Sequence, residues 1–170
     1  MEFARDFSDK GAVFVALGAN LPSGGISPEI MVRRAAEALI ASHGGGRLSP
    51  IFRTAPVDCP PGSPDFVNAV VALPARPGSS PEALHRELLA LETAAGRPTV
   101  DARAKNAPRP LDLDLLAYGT KRRTDAALTI PHPRCHERRF VLEPWAALAP
   151  EFEIPGRGKV SELLQALPRG

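Results

Sequence analysis

The sequence predicts an α+β fold, an antiparallel sheet with helices packed on it, and three observations carry the prediction. Short runs rich in Val, Phe, Ala and Leu recur along the chain and have strand length. Two longer stretches between them place apolar residues at helical spacing. The run Leu111-Asp112-Leu113-Asp114-Leu115 alternates with period two, as a strand does.

The elements follow in order. A strand is expected over 12–17, then a Gly/Asn/Pro/Ser loop. A helix over 28–43 aligns Val32, Ala35, Ala36, Leu39 and Ile40 on one face, and Gly44-Gly45-Gly46 ends it. Strands are expected over 47–54 and 65–73, joined by the Pro/Gly loop 58–64. Ser80 is placed to cap a helix over 81–95, with Pro81 at its first position and Leu84, Leu88 and Leu91 turned inward. A strand over 111–118 follows. A Pro-rich segment leads to a helix over 137–148, and 160–167 forms a last short helix. The order βαββαβ is the ferredoxin-like pattern, here with a C-terminal helical extension. It puts helices on one face of the sheet and leaves the other face and its loops for ligands.

At 170 residues the chain is expected to be a single domain, 1–170, with 1–10 a loosely ordered N-terminal extension. The formal charge of +2 gives no global field that points to nucleic acid or to an acidic membrane. Residues 1–10 lack the apolar core of a signal peptide, and no run of about 18 apolar residues exists to span a bilayer. A cytoplasmic monomer is expected, with Cys59 and Cys135 as free thiols in loops. Cys135 and His136 are adjacent and lack further soft ligands, so they do not make a zinc site.

Function is concentrated around the alternating run. Asp112 and Asp114 project from one face of their strand, about 7 Å apart along it, and the leucines from the other. Two carboxylates so placed can hold Mg²⁺ together with substrate phosphates; a solvated acidic face is the alternative. The segment 96–110 just before them carries Arg97, Arg103, Lys105 and Arg109 among Gly and Pro residues, and reads as a long basic loop. Such a loop beside paired carboxylates suits polyphosphate transfer, in which guanidinium groups hold the phosphate charge. Downstream, His132 lies between Pro131 and Pro133, and Arg138-Arg139 open the helix expected at 137–148. Phe66 and Asn68 share a strand face; a ring beside an amide could stack on a planar heterocycle and read its edge, or could serve the core.

In this order the segments resemble the 6-hydroxymethyl-7,8-dihydropterin pyrophosphokinase family. The resemblance rests on Ala16-Leu17-Gly18-Ala19-Asn20-Leu21, on Arg53-Thr54-Ala55-Pro56 with Pro64-Asp65-Phe66-Val67-Asn68-Ala69, on Pro108-Arg109 with Leu111–Leu115, and on Leu128-Thr129-Ile130-Pro131-His132-Pro133 with Glu137-Arg138 and Phe140. It implies transfer of the β,γ-diphosphoryl group of ATP to the hydroxymethyl oxygen of the reduced pterin, with AMP leaving. It implies Asp112 and Asp114 as ligands of two Mg²⁺ ions, and Arg97 and Arg109 closing over the phosphates. Leu128, Thr129, His132 and Arg138 are implied at the nucleotide. The pterin is implied between Phe66 and Phe140, its edge read by Asn68 and by the backbone of Thr54, Pro56 and Val57, with Glu92 at the margin. The implied partners are ATP and 6-hydroxymethyl-7,8-dihydropterin, with no nucleic acid and no membrane.

The chain departs from some members where a loop tryptophan and a second loop arginine would stand: Asn106 and Thr99 occupy those positions. Two other readings compete. An RNA-binding module could share this fold, but the chain lacks its aromatic-basic consensus, and acidic residues on what is expected to be a central strand would repel phosphate. A member that binds pterin or ATP without turnover is the other.

Overall fold

Strand β1 (Ala12–Ala19) runs through the middle of a five-stranded sheet because nearly every one of its side chains is apolar and both of its faces are covered. The computed structural model describes residues 11–20, 25–55, 61–62, 64–76, 78–96 and 111–168. Helix α1 (Pro28–Ser42) follows β1, capped by Ser27, whose side chain accepts from the Ile30 N–H at 3.3 Å. Past its end Gly44 has φ 72°, a conformation that glycine adopts at no steric cost. Strands β2 (Arg47–Leu48) and β3 (Phe52–Thr54) both pair with β4 (Phe66–Pro74). The single strand expected over 47–54 is thus two short pieces. Pro50 has no N–H for a ladder, and the Ser49 hydroxyl bridges the gap by accepting from the Val70 N–H at 3.0 Å.

Helix α2 (Pro81–Ala94) starts where the sequence places it: the Ser80 hydroxyl accepts from the Ala83 N–H at 3.1 Å. Strand β5 (Asp112–Tyr118) then pairs antiparallel with β1. The order β2-β4-β1-β5 is the ferredoxin-like arrangement expected from the element order. It makes β5 an edge strand, not the central strand on which the argument against RNA binding relied.

Beyond β5 the chain forms the hairpin β6 (Arg123–Thr124) with β7 (Thr129–Ile130), a 3-10 turn over Cys135–Glu137, and helix α3 (Arg139–Leu148). The helix expected over 137–148 therefore begins after the turn. A second hairpin, β8 (Glu153–Ile154) with β9 (Gly158–Lys159), leads into α4 (Val160–Ala166). Among the described residues no helix is long and apolar enough to cross a membrane.

The sheet separates two cores. Val13, Val15, Leu17, Val67, Val71, Leu73, Leu113 and Leu115 meet α1 and α2 on one face. Phe14, Val70, Ala72, Leu116 and Ala117 meet α3, α4 and the β8–β9 hairpin on the other. Phe14, Trp145 and Phe152 pack there with ring centroids 4.7–5.9 Å apart. The second face is thus only partly free for ligands, contrary to the expectation of helices on one face alone. A bulge in β5 permits this: Val15 pairs with Leu115 but Phe14 with Ala117, so Leu116 turns to the second face beside Ala117. Cys135, expected in a loop, is buried in the 3-10 turn, and burial pushes its thiol up to about 11. Cys59 and the extension 1–10 lie outside the described residues.

Candidate active site

The register across the sheet gathers the polar residues of the second face at one end. Phe52 pairs with Asn68, Asn68 with Gly18, and Gly18 with Asp112, which makes one row over four strands. Thr54 pairs with Phe66, and Ala16 with Asp114, in the flanking rows. Strand parity keeps Thr54, Phe66, Asn68, Asp112 and Asp114 on the same face. Helix α3 covers the rest of that face and brings Arg138, Arg139, Phe140 and Val141 over the uncovered end. A cleft of about 400 Å³ results, lined by these residues with Ala16, Leu17, Gly18, Ala55, Ala69, Arg134 and Glu137.

The floor is shaped by small residues. Gly18 lies between Asn68 and Asp112, and a Cβ there would sit 3.3 Å from Asn68 Oδ1. The Asn68 amide is held by donation from Nδ2 to Thr54 Oγ1 at 2.6 Å, which leaves Oδ1 on the Gly18 side. Gly18→Ala is expected to fold, since the φ of Gly18 is not in the left-handed region. Its methyl would displace the amide and narrow the floor. The KM for a heterocycle bound there should rise about tenfold, as expected for a misplaced methyl in a tight site. Steady-state kinetics with thermal melts check this, and an unchanged KM removes Gly18 from the floor of the binding site.

The walls carry opposite charges. Asp112 and Asp114 stand on β5. Arg134, Arg138 and Arg139 stand on the segment entering α3. Arg134 pairs loosely with Glu137 at 3.5 Å, and Arg139 with Glu143 at 3.4 Å and the Pro168 carbonyl at 3.0 Å. Arg138 has no carboxylate partner among the described residues, and its guanidinium lies 5.6 Å from the centre of the Phe140 ring. Helix α3 has no side-chain cap, and its first residues, Arg139, Phe140 and Val141, line the cleft, which puts its positive end there. This arrangement can hold an anion on one wall and cations on the other. Among the described residues no group of three His, Cys, Asp or Glu could hold a metal. Two carboxylates suit Mg²⁺, which takes one or two of them with substrate phosphates and water; they do not suit a structural zinc.

His132 lies behind this rim rather than in the lining. Its N–H donates to the carbonyl of the bulged Leu116 at 2.9 Å, and Nδ1 accepts from the Arg134 N–H at 3.1 Å. The ring proton is therefore on Nε2. The pKa of His132 is lowered to about 4, first by burial and then by Arg138 and Arg157, with Asp112 acting against them. The ring is neutral near pH 7. Unfolded, it takes a proton near 6.5; folded, it does so only near 4. Its contribution to stability is complete above pH 6.5 and is lost as pH falls through 6.5 towards 4. After allowance for partial exposure the loss is on the order of 2 kcal/mol. Urea unfolding of wild type and His132→Asn at pH 7 and pH 4.5 measures it. The gap between the two proteins should shrink in acid, and a constant gap overturns the assignment.

Of the residues singled out in the sequence, the fold brings together Thr54, Phe66, Asn68, Asp112, Asp114, Arg138 and Phe140. Among the described residues, Leu128, Thr129, His132 and Glu92 are not in the lining of the cleft. Leu128 is buried, its N–H donates to the Asp125 carbonyl and its carbonyl accepts from the Asp125 N–H. The Thr129 hydroxyl donates to the Asp125 carbonyl at 3.2 Å, within the β6–β7 hairpin. Glu92 is buried on the α2 side of β5, where Oε2 accepts from the Leu113 N–H at 2.7 Å. That position makes it a strut under the aspartate strand. Pro56, Val57, Arg97 and Arg109 lie outside the described residues. The sequence reading missed Gly18, Arg134 and Glu137 as lining residues.

The family model of 7,8-dihydro-6-hydroxymethylpterin-pyrophosphokinase matches residues 14–150. A 2-amino-4-hydroxy-6-hydroxymethyldihydropteridine pyrophosphokinase of Synechocystis is 40% identical, over 88% of this chain and 71% of the relative. The enzyme of the same name from Pseudomonas aeruginosa is 35% identical, over 92% of this chain and 91% of its own. A mitochondrial folate synthesis bifunctional protein of Arabidopsis thaliana is 36% identical, over 81% of this chain but 23% of the relative.

Proposed function

The chain belongs to the 7,8-dihydro-6-hydroxymethylpterin-pyrophosphokinase family, and we propose that it transfers the β,γ-diphosphoryl group of ATP to the hydroxymethyl oxygen of 6-hydroxymethyl-7,8-dihydropterin, releasing AMP, as a cytoplasmic step of folate biosynthesis. The observation that carries the reading is a cleft lined together by Phe66 and Asn68 on β4, Phe140 and Arg138, with Asp112 and Asp114 one strand beyond Gly18.

The pterin is held between the Phe66 and Phe140 rings. Asn68, fixed by Thr54, meets the polar edge of the heterocycle. A ring system without the matching groups would leave a buried amide unpaired, which is a strong basis for rejection. Asp112 and Asp114 would hold Mg²⁺, two ions being expected, and the metal would supply neutralisation of phosphate charge and a lowered pKa for the attacking hydroxyl, so that no strong general base would be needed. Arg138 holds charge on the phosphates at the positive end of α3. His132 offers its Nε2–H to the nucleotide, and the resemblance gives Arg97 and Arg109 the role of holding phosphate charge.

The test is incubation with Mg²⁺, ATP and 6-hydroxymethyl-7,8-dihydropterin. AMP formation that requires both pterin and Mg²⁺ supports the reading. ADP would indicate an ordinary kinase, and pterin binding without turnover would indicate a binder.

A further inference from the structure

We propose that Arg157 is a positioning residue for His132, gripping that histidine's main chain from behind the cleft so that its ring keeps one orientation. The proposal rests on the reading above only in taking His132 to meet the nucleotide.

Arg157 stands on the β8–β9 hairpin, outside every motif that suggested the function. The hairpin is rigid where it matters. Phe152 and Ile154 are buried against Trp145 and Phe14, the Arg157 N–H donates to the Ile154 carbonyl at 2.9 Å, and Pro155-Gly156 form the intervening turn, with Gly156 at φ 77°. From that base Arg157 Nη1 donates to the His132 carbonyl at 2.5 Å and lies 3.5 Å from Cys135 Sγ. The same carbonyl accepts from the Cys135 N–H at 3.4 Å, which closes the 132–135 turn. This turn carries the Arg134 N–H that occupies His132 Nδ1.

His132 is thus clamped at three points: its N–H on Leu116, its ring on Arg134 and its C=O on Arg157. The first ties the turn to the buried Leu116 of β5, and the second is local to the turn itself. The third is the charge-assisted bond made by a side chain, and it ties the far end of the turn to the β8–β9 hairpin, whose Phe152 and Ile154 are in the core. Removing it leaves the ring able to exchange its tautomer and tilt. It leaves Phe66, Asn68, Asp112 and Asp114 untouched. Arg157 therefore governs the nucleotide side of the cleft and not the pterin side.

The test is a double-mutant cycle between Arg157→Met and His132→Ala, with Arg157→Lys as the conservative variant and Arg157→Gln should the Met variant not fold. In the wild-type background Arg157→Met should raise the KM for ATP about tenfold, with kcat and the pterin KM within about twofold. In the His132→Ala background the same change should add less than about twofold, because the group it acts through is gone. Arg157→Lys retains one donor to the carbonyl and should recover most of the loss. An independent readout is the long-range ¹⁵N–¹H spectrum of histidine-labelled protein. His132 should show a single Nε2–H tautomer in wild type and a mixture in Arg157→Met. An undiminished effect in the His132→Ala background, or an unchanged tautomer, overturns the proposal. If the wild type forms no AMP, the functional reading fails while the tautomer measurement still decides the clamp.

Discussion

Asp112→Asn and Asp114→Asn are each expected to lower pterin-dependent AMP formation by at least about a thousandfold, equivalent to roughly 4 kcal/mol of transition-state stabilisation. Each variant should melt within a few degrees of wild type. Asparagine keeps the shape and the hydrogen-bonding capacity of the side chain but not the charge, and charge is what binds a hard cation. The neighbours on β1 show why these carboxylates suit that task. Asp112 faces Gly18 and Asp114 faces Ala16 across the ladder, so no bulky side chain of the central strand screens either one from the cleft. On their other side Leu113 and Leu115 are buried under the helices, which fixes the direction in which the aspartates point. AMP release under saturating Mg²⁺, with thermal melts of the same samples, checks this. Retained turnover would show that the carboxylates do not hold the metal; loss of the fold would show that they serve structure.

The sequence made this strand legible because period two is unambiguous over five residues and because leucine and aspartate have opposite requirements. It also held the sign of where the pattern stops. Leu115-Leu116 breaks the alternation, and that is the bulge whose carbonyl receives His132. The caps at Ser27 and Ser80 obey the same local chemistry, and the sequence reading found Ser80 but not Ser27. The coverage of the second face was harder to read. Periodicity tells which face of an element is apolar but not which element covers it. The run from Val67 to Leu73, polar only at Asn68, is the trace that both faces are buried. Gly18 was missed because its importance comes from register, which sets it between Asn68 and Asp112. That pairing is a product of the whole sheet and cannot be read from local sequence.

Glu92 shows the same limit, and it carries the largest expected effect on stability. By sequence it is one more charge on a helix, or a carboxylate at the edge of a substrate site. In the fold it is 4% exposed and accepts from the Leu113 N–H, on the edge strand that carries both aspartates. Glu92→Ala leaves that buried N–H without this acceptor and should cost about 2–3 kcal/mol, a fall in melting temperature of roughly 5–10 °C for a domain of this size. Glu92→Gln retains an oxygen that can accept and should recover more than half of the loss. Because the strut lies under β5, the pterin KM should stay within about twofold while kcat falls as the aspartate strand loosens. Melting curves and steady-state kinetics on both variants separate the alternatives. A raised pterin KM at unchanged melting temperature would return Glu92 to the substrate. A lowered melting temperature at unchanged KM keeps it as the support on which the geometry of Asp112 and Asp114 depends.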